Sequence, residues 1–112
     1  MIDDLLKKLE QPVINRALEG KPFPRLVESL PLLAKPAERR VEVLVLAGAE
    51  WWRQPGVKVG GTSTKIYLGN DQTSKGTKFS VVAMTCEQPL TKQTYRNLPD
   101  HRTKSEITLV RG

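Results

Sequence analysis

The sequence predicts an α+β fold, in which an N-terminal helical segment precedes a small, mostly antiparallel sheet with one helix before the last strand. Apolar residues recur at helical spacing near the start of the chain, and valine-rich runs bounded by glycine follow after residue 39. A chain of 112 residues is enough for one domain. We therefore expect a single domain at 1–112, with a helical, proline-interrupted part at 1–38 and a basic, β-rich part at 39–112.

The N-terminal helix is predicted from a single apolar stripe. Its members follow the i, i+3, i+4, i+7, i+11 spacing of one helical face: Ile2, Leu5, Leu6, Leu9 and Val13. Pro12 interrupts this pattern, so we expect a kink or a second short helix that runs through Leu18 and stops at Gly20. A further short helix is expected over 25–30, where the apolar residues share one face.

The second part of the chain carries three strand signals. Residues 41–47 are rich in Val and Leu and are followed by Gly48, which is typical of a buried strand. Residues 62–68 and 77–85 have the composition of two further strands. The polar segment 69–76 between them has glycine at both ends, which predicts that the two strands form a hairpin.

A helix and a strand complete the predicted order. Residues 91–98 are expected to form a short helix, with Thr91 as the N-cap and Pro99 as the stop, and 107–110 the last strand. Three strands, a helix and a strand also make up most of the connectivity of a small oligonucleotide-binding barrel. A barrel-like sheet is therefore the alternative, although the pattern lacks a clear fifth strand.

The positive charge of the chain lies in its second half. The formal net charge is +6 at pH 7. Residues 1–50 hold eight Lys or Arg and eight Asp or Glu, whereas residues 51–112 hold ten and four. Such asymmetry is typical of a protein with a polyanionic partner, most often nucleic acid. The alternative is that the basic surface serves only solubility.

No residue pattern indicates catalysis. The chain has one cysteine, Cys86, and one histidine, His101, and nothing in the sequence places them together. It has no CxxC, no HxxxH and no acidic Ca²⁺ loop, and the glycines at 56–61 and 69–76 lack phosphate-loop spacing. We therefore expect a binding protein rather than an enzyme, without a metal and without a cofactor.

The sequence also lacks the features of a membrane or secreted protein. Its longest uninterrupted apolar run, 43–47, is far shorter than the ~20 residues that a spanning helix needs. Residues 1–10 do not resemble a signal peptide, and a single cysteine forms no intrachain disulfide. We expect a cytoplasmic protein without membrane contact.

The candidate binding residues lie around two adjacent tryptophans. Trp51-Trp52-Arg53 follows the first predicted strand and precedes a turn signal, Gln54-Pro55-Gly56. One interpretation is that the rings cap the core, because Trp is usually largely buried. The other is that at least one ring stacks on the bases of a single strand while nearby cations contact phosphates. The nucleic-acid-binding residues would then be Trp51, Trp52, Arg53, Lys58, Lys65, Tyr67, Lys75 and Lys78.

A second basic cluster follows later in the chain, and its members are Lys92, Arg96, Arg102, Lys104 and Arg111. Lys92 and Arg96 are four residues apart and would share one face of the predicted helix. The cluster is either a solvated helix face or a contact for a duplex backbone or an acidic protein.

The favoured function is nucleic-acid binding through the basic β-rich part, with single strands preferred over duplexes. The alternative is a protein-interaction module, such as an adaptor, an inhibitor or a small subunit of an assembly. In that case the N-terminal amphipathic helix would dock on a protein partner or on a second copy of the chain. The contact residues would be Ile2, Leu5, Leu6 and Leu9.

Overall fold

The computed structural model describes residues 13–23, 26–32, 40–54, 63–69, 72–86, 90–101 and 103–112. Within these ranges the chain is nearly all β and forms no α-helix, so the α+β prediction is wrong. One 3-10 turn covers Arg16–Leu18. The strands are β1 (Pro22–Phe23), β2 (Leu26–Pro31), β3 (Arg40–Ala47), β4 (Glu50–Gln54), β5 (Ser63–Tyr67), β6 (Lys78–Cys86), β7 (Thr94–Tyr95) and β8 (Thr103–Arg111).

The strands form two separate sheets. The larger sheet has six strands in the order β1-β8-β6-β3-β4-β7, and the smaller one pairs β2 with β5. All pairs are antiparallel except β1 with β8, which is parallel. The longest ladders join β6 to its two neighbours, so β3, β6 and β8 are the centre of the fold.

Both faces of the large sheet are buried at its centre. Side chains alternate between the two faces of a strand, so Val43 and Val45 lie on one face of β3 and Leu44 lies on the other. All three are at most 1% exposed. We call the face that carries Val43 and Val45 the inner face, and the opposite one the outer face.

The small sheet and the segment before it cover the inner face. The cluster of buried residues there draws on β2, β3, β5, β6 and β8. Its members are Ile14, Leu30, Leu32, Val41, Val43, Val45, Ile66, Leu68, Phe79, Val81, Ala83, Ile107 and Leu109. An aliphatic core of this kind follows from the few aromatic residues in the chain.

The outer face is covered by the chain that follows β6. Leu44, Val82, Met84 and Cys86 form its buried cluster. The side chains packed against that cluster come from β4 and from the segment 90–98, and they are Trp51, Leu90, Tyr95 and Leu98. The small sheet therefore lies on one face of the large sheet, and the side chains of Leu90, Tyr95 and Leu98 pack on the other.

The helix predicted over 25–30 is replaced by strand β2. Leu26 pairs with Tyr67 and Val27 with Ile66, but the register shifts before Leu30, which pairs with Thr64. This bulge inserts an extra residue, and as a result Val27 and Leu30 both pack on the inner-face core although they are three residues apart. Apolar residues three positions apart also share one face of a helix, which explains why a helix was predicted here.

The helix predicted over 91–98 is also absent. This segment is irregular apart from β7, which pairs with β4. Tyr95 and Leu98 pack on the outer-face core, and Pro99 follows. Tertiary packing and pairing with β4 therefore override the weak local helix signal of a segment this short.

Four predicted strands are present, at β3, β5, β6 and β8. The hairpin predicted between β5 and β6 is wrong, because β5 pairs with β2 and β6 pairs with β3 and β8. The sheets also remain two rather than one barrel. The first predicted helix falls mostly outside the described residues, and the second is reduced to the 3-10 turn, after which Gly20 adopts a φ of 74°.

Candidate binding site

The two tryptophans lie on a strand rather than in a turn. Strands β3 and β4 form a hairpin with a two-residue loop at 48–49, and Gly48 has a φ of 65° there. A glycine with positive φ at the first loop position is typical of a tight hairpin turn. Because adjacent strand residues point to opposite faces, the hairpin sends the two indole rings to opposite sides of the sheet.

Trp51 is partly buried and packs against the core, whereas Trp52 is a surface residue. Trp51 pairs with Leu46 and packs on the outer-face cluster. Trp52 pairs with Val45, on the inner-face side, and is 43% exposed. The interpretation that the rings cap the core therefore fits the surroundings of Trp51. The interpretation that a ring is open to a ligand fits the exposure of Trp52.

Trp52 and Tyr67 line the same cavity, which we call the aromatic cavity. Its volume is about 380 Å³, and its lining residues are Val45, Ala47, Trp52, Gln54, Tyr67 and Gly69. Tyr67 is 46% exposed, at the end of β5. The structure therefore brings together two aromatic residues of the predicted set that are distant in the sequence, at the place where the two sheets meet.

Gln54 holds the two sides of the aromatic cavity together. Its Oε1 accepts a hydrogen bond from the backbone N–H of Tyr67 at 2.7 Å, and its Nε2 donates to the carbonyl of Trp52 at 3.2 Å. The residue is only 6% exposed. The sequence did not predict that Gln54 links the two sheets. The residue was assigned to a turn, and no local pattern marks an amide that joins two sheets.

Arg53 is engaged within the protein. Its Nε donates to Glu42 Oε2 at 3.0 Å and its Nη2 to Glu42 Oε1 at 3.3 Å, which makes a two-pronged ion pair. The side chain of Glu42 is 5% exposed and that of Arg53 is 31% exposed. Arg53 therefore neutralises a buried carboxylate on the outer face. A glutamate inside the apolar run 41–47 was the available signal, since a buried charge needs a partner.

The predicted lysines are dispersed. Lys65 is exposed and lies two residues before Tyr67, on the same side of β5. Lys75 lies in an exposed turn, and Lys78 is an exposed residue at the start of β6; neither lines the aromatic cavity. Lys58 lies outside the described residues, as do the four residues of the predicted partner-binding face.

A second, polar cavity lies beside β7. Its volume is about 500 Å³, and it is lined by Glu50, Lys92, Thr94, Tyr95, Arg96 and Asn97. The hydroxyl of Tyr95 accepts a hydrogen bond from the backbone N–H of Lys92 at 2.9 Å, which fixes the loop. The sequence predicted that Lys92 and Arg96 share one face of a helix. The structure has no helix there, but the folded loop brings both residues to one cavity.

The described ranges show no group of three His, Cys, Asp or Glu side chains arranged for a metal ion. Cys86 is buried in the outer-face core, whereas His101 is exposed and its Nδ1 lies 2.9 Å from the carbonyl of Pro99. In the part of the chain that is described, no helix has the length and apolar character needed to cross a membrane.

Comparisons of the chain with protein-family models, with curated proteins and with solved structures find no match.

Proposed function

We propose that this protein binds single-stranded nucleic acid, with Trp52 and Tyr67 as the aromatic surfaces on which bases stack. The observation that carries the proposal is the aromatic cavity. Among the described residues, the large apolar side chains that remain exposed are Trp52 and Tyr67, and both line that cavity. Exposed aromatic rings that converge on one site are typical of ligand-binding surfaces.

The chemistry of the aromatic cavity suits a planar, partly polar ligand. Val45 and Ala47 contribute an apolar lining, and the two rings supply flat faces. Stacking of a base on an aromatic side chain contributes roughly 1–3 kcal/mol and requires no particular base. The lining residues carry no charge, so this cavity would supply stacking, and phosphate contacts would come from cations outside it.

The surface charge favours a polyanion. The exposed lysines and arginines of the described β-rich part are spread over several strands and loops: Lys65, Lys75, Lys78, Lys92, Arg96 and Lys104. Neutralising phosphates with such cations releases counterions, so affinity falls as salt rises. Arg53 is left out of this set, because it is paired with Glu42.

Fluorescence of Trp52 tests the proposal. In a Trp51→Phe protein, Trp52 is the sole tryptophan. We expect a thymidine oligonucleotide to quench its emission, with an affinity that falls steeply between about 50 mM and about 200 mM salt. Adding Tyr67→Leu to this protein should weaken binding by roughly 5- to 150-fold, the equivalent of one lost stacking contact.

A matched control separates stacking from general charge. Lys78→Gln removes an exposed cation that does not line the aromatic cavity, and it should weaken binding far less than Tyr67→Leu. If the oligonucleotide leaves Trp52 emission unchanged at low salt, the proposal is wrong and a protein partner becomes the better hypothesis.

A further inference from the structure

We infer that the binding site continues past Trp52 into the polar cavity, so that the ligand is a segment of at least two linked nucleotides rather than a single nucleotide. This inference rests on the proposed function and extends it to the length of the ligand. It assigns the polar cavity as the place where the phosphate of the neighbouring nucleotide binds.

Strand register places the two cavities side by side. Thr94 of β7 lies directly opposite Trp52 of β4. Side chains of directly paired residues share a face, and their Cβ atoms are about 4.5–5.5 Å apart. Thr94 lines the polar cavity and Trp52 lines the aromatic cavity. One cross-strand pair therefore links the two sites.

The alternation along β4 gives the same result. Glu50 lies two residues before Trp52, so both side chains are on the same face of the strand. Glu50 lines the polar cavity. Two neighbours of Trp52, Glu50 and Thr94, thus line the polar cavity, while Trp52 itself lines the aromatic cavity.

The charges of the polar cavity suit a phosphate. Lys92 and Arg96 line it and are both exposed, and neither forms an ion pair with any described residue. Glu50 offsets one of these two positive charges, which leaves a net charge of about +1 for a single phosphate. An arginine fork binds phosphate oxygens in two places at once, and a lysine adds a point charge.

The two cavities have complementary chemistry. The residues lining the aromatic cavity are uncharged, whereas those lining the polar cavity include three charged side chains. A nucleotide bound by stacking alone leaves the cations of the polar cavity unused. A linked pair places a base on Trp52 and a backbone phosphate next to Lys92 and Arg96, so it uses both.

The experiment compares a double variant at the polar cavity with a charge-matched control. The test protein is Lys92→Gln/Arg96→Gln, and the control is Lys78→Gln/Lys104→Gln, which removes two exposed cations that line neither cavity. Fluorescence anisotropy of a labelled thymidine oligonucleotide of about 12 nucleotides reports binding to the otherwise unaltered chain. Thymidine monophosphate is then titrated as a competitor, and thermal melting checks the fold.

We expect the test variant to lose at least tenfold in oligonucleotide affinity, and its salt slope to fall by about 0.7 for each phosphate contact that is lost. The control should lose much less, and competition by thymidine monophosphate should be equal in both variants. Glu50→Gln, which removes the opposing charge, should tighten oligonucleotide binding.

Two outcomes overturn the inference while leaving the proposed function in place. One is an equal loss of oligonucleotide affinity in the test and control variants, because binding then depends on total charge. The other is an equal affinity of the unaltered chain for the monophosphate and the oligonucleotide. If the unaltered chain binds no oligonucleotide at low salt, the proposed function fails and the inference fails with it.

Discussion

The side-chain oxygen of Gln54 accepts the backbone N–H of Tyr67 at 2.7 Å, and this bond links the six-stranded sheet to the two-stranded one beside the aromatic cavity. The same side chain donates to the Trp52 carbonyl. The placement of the two exposed rings relative to each other therefore depends on one buried amide, which itself lines the aromatic cavity.

Replacing Gln54 should weaken the fold. In Gln54→Ala the N–H of Tyr67 loses its acceptor at a largely buried position, which costs about 1–3 kcal/mol of unfolding free energy. Urea denaturation measures the change. Gln93→Ala is the matched control, since its Nε2 also donates to a carbonyl of β4, that of Arg53, but at an exposed position. The control should change stability by less than about 0.5 kcal/mol, and an equal loss in both variants would contradict the role given to Gln54.

Arg53 should contribute to stability rather than to ligand affinity. In Arg53→Met the buried carboxylate of Glu42 loses its two-pronged partner, and we expect a loss of roughly 3 kcal/mol, the low end for a buried pair because the guanidinium is 31% exposed. Replacing both residues with Met should recover much of that loss, since the carboxylate is then no longer buried in the outer face. Urea denaturation of the single and double variants measures both effects. A fall in oligonucleotide affinity with unchanged stability would instead place Arg53 at the ligand.

The two tryptophans should differ in their access to solvent. Acrylamide should quench Trp52 strongly in the Trp51→Phe protein and quench Trp51 only weakly in the Trp52→Phe protein, because only Trp52 stands clear of the core. Stern–Volmer slopes of the two single-tryptophan proteins give the comparison. Similar slopes would mean that the rings are not divided between surface and core.

Truncating the same two residues should separate stability from binding. Trp51→Ala should cost about 3 kcal/mol of unfolding free energy, since it leaves a gap against the outer-face cluster. Trp52→Ala should cost less, because much of the ring is already in water. Thermal melting measures the first effect, and anisotropy of a labelled oligonucleotide measures the loss of affinity expected of Trp52→Ala. The order of the two stability losses would be reversed if the assignment of the rings were wrong.

Gly69, which lines the aromatic cavity, should tolerate substitution less well than Gly76. Both glycines have positive φ, 72° and 87°, which costs about 1–2 kcal/mol for a residue with a Cβ. At Gly69 the added Cβ would also overlap the side chain of Thr73, whereas nothing lies within 4 Å at Gly76. Urea denaturation should therefore show a larger loss for Gly69→Ala than for Gly76→Ala. Equal losses would mean that Thr73 moves aside without cost.

The sequence predicts the central strands well and the peripheral elements poorly. The valine-rich runs of β3 and β6 are buried on both faces of the large sheet, so their composition alone indicates strands. The pattern of β2 misleads, because its bulge between Val27 and Leu30 imitates helical spacing. The segment after β6 misleads as well, since Tyr95 and Leu98 are placed by packing on a distant cluster and not by local preference.

The candidate site was only partly predictable, for a related reason. Composition singled out Trp52 and Tyr67, but their meeting in one cavity depends on the contact between β4 and β5, which no local pattern encodes. Alternation along β4 would have separated Trp51 from Trp52 had the segment been recognised as a strand. Glu42 was also open to inference as the partner of Arg53, because it is a charge inside a buried strand.

The junction between β4 and β5 has a consequence for the order in which the molecule opens. The β3–β4 hairpin closes through a two-residue loop and forms from local contacts. Strands β2 and β5 pair with each other although the whole hairpin separates them in the sequence, so their contacts are non-local. We expect amide hydrogens of β5 to exchange with solvent sooner than those of β3 and β6, which lie inside the continuous ladder. The aromatic cavity would then come apart through a local fluctuation well below the temperature at which the large sheet melts.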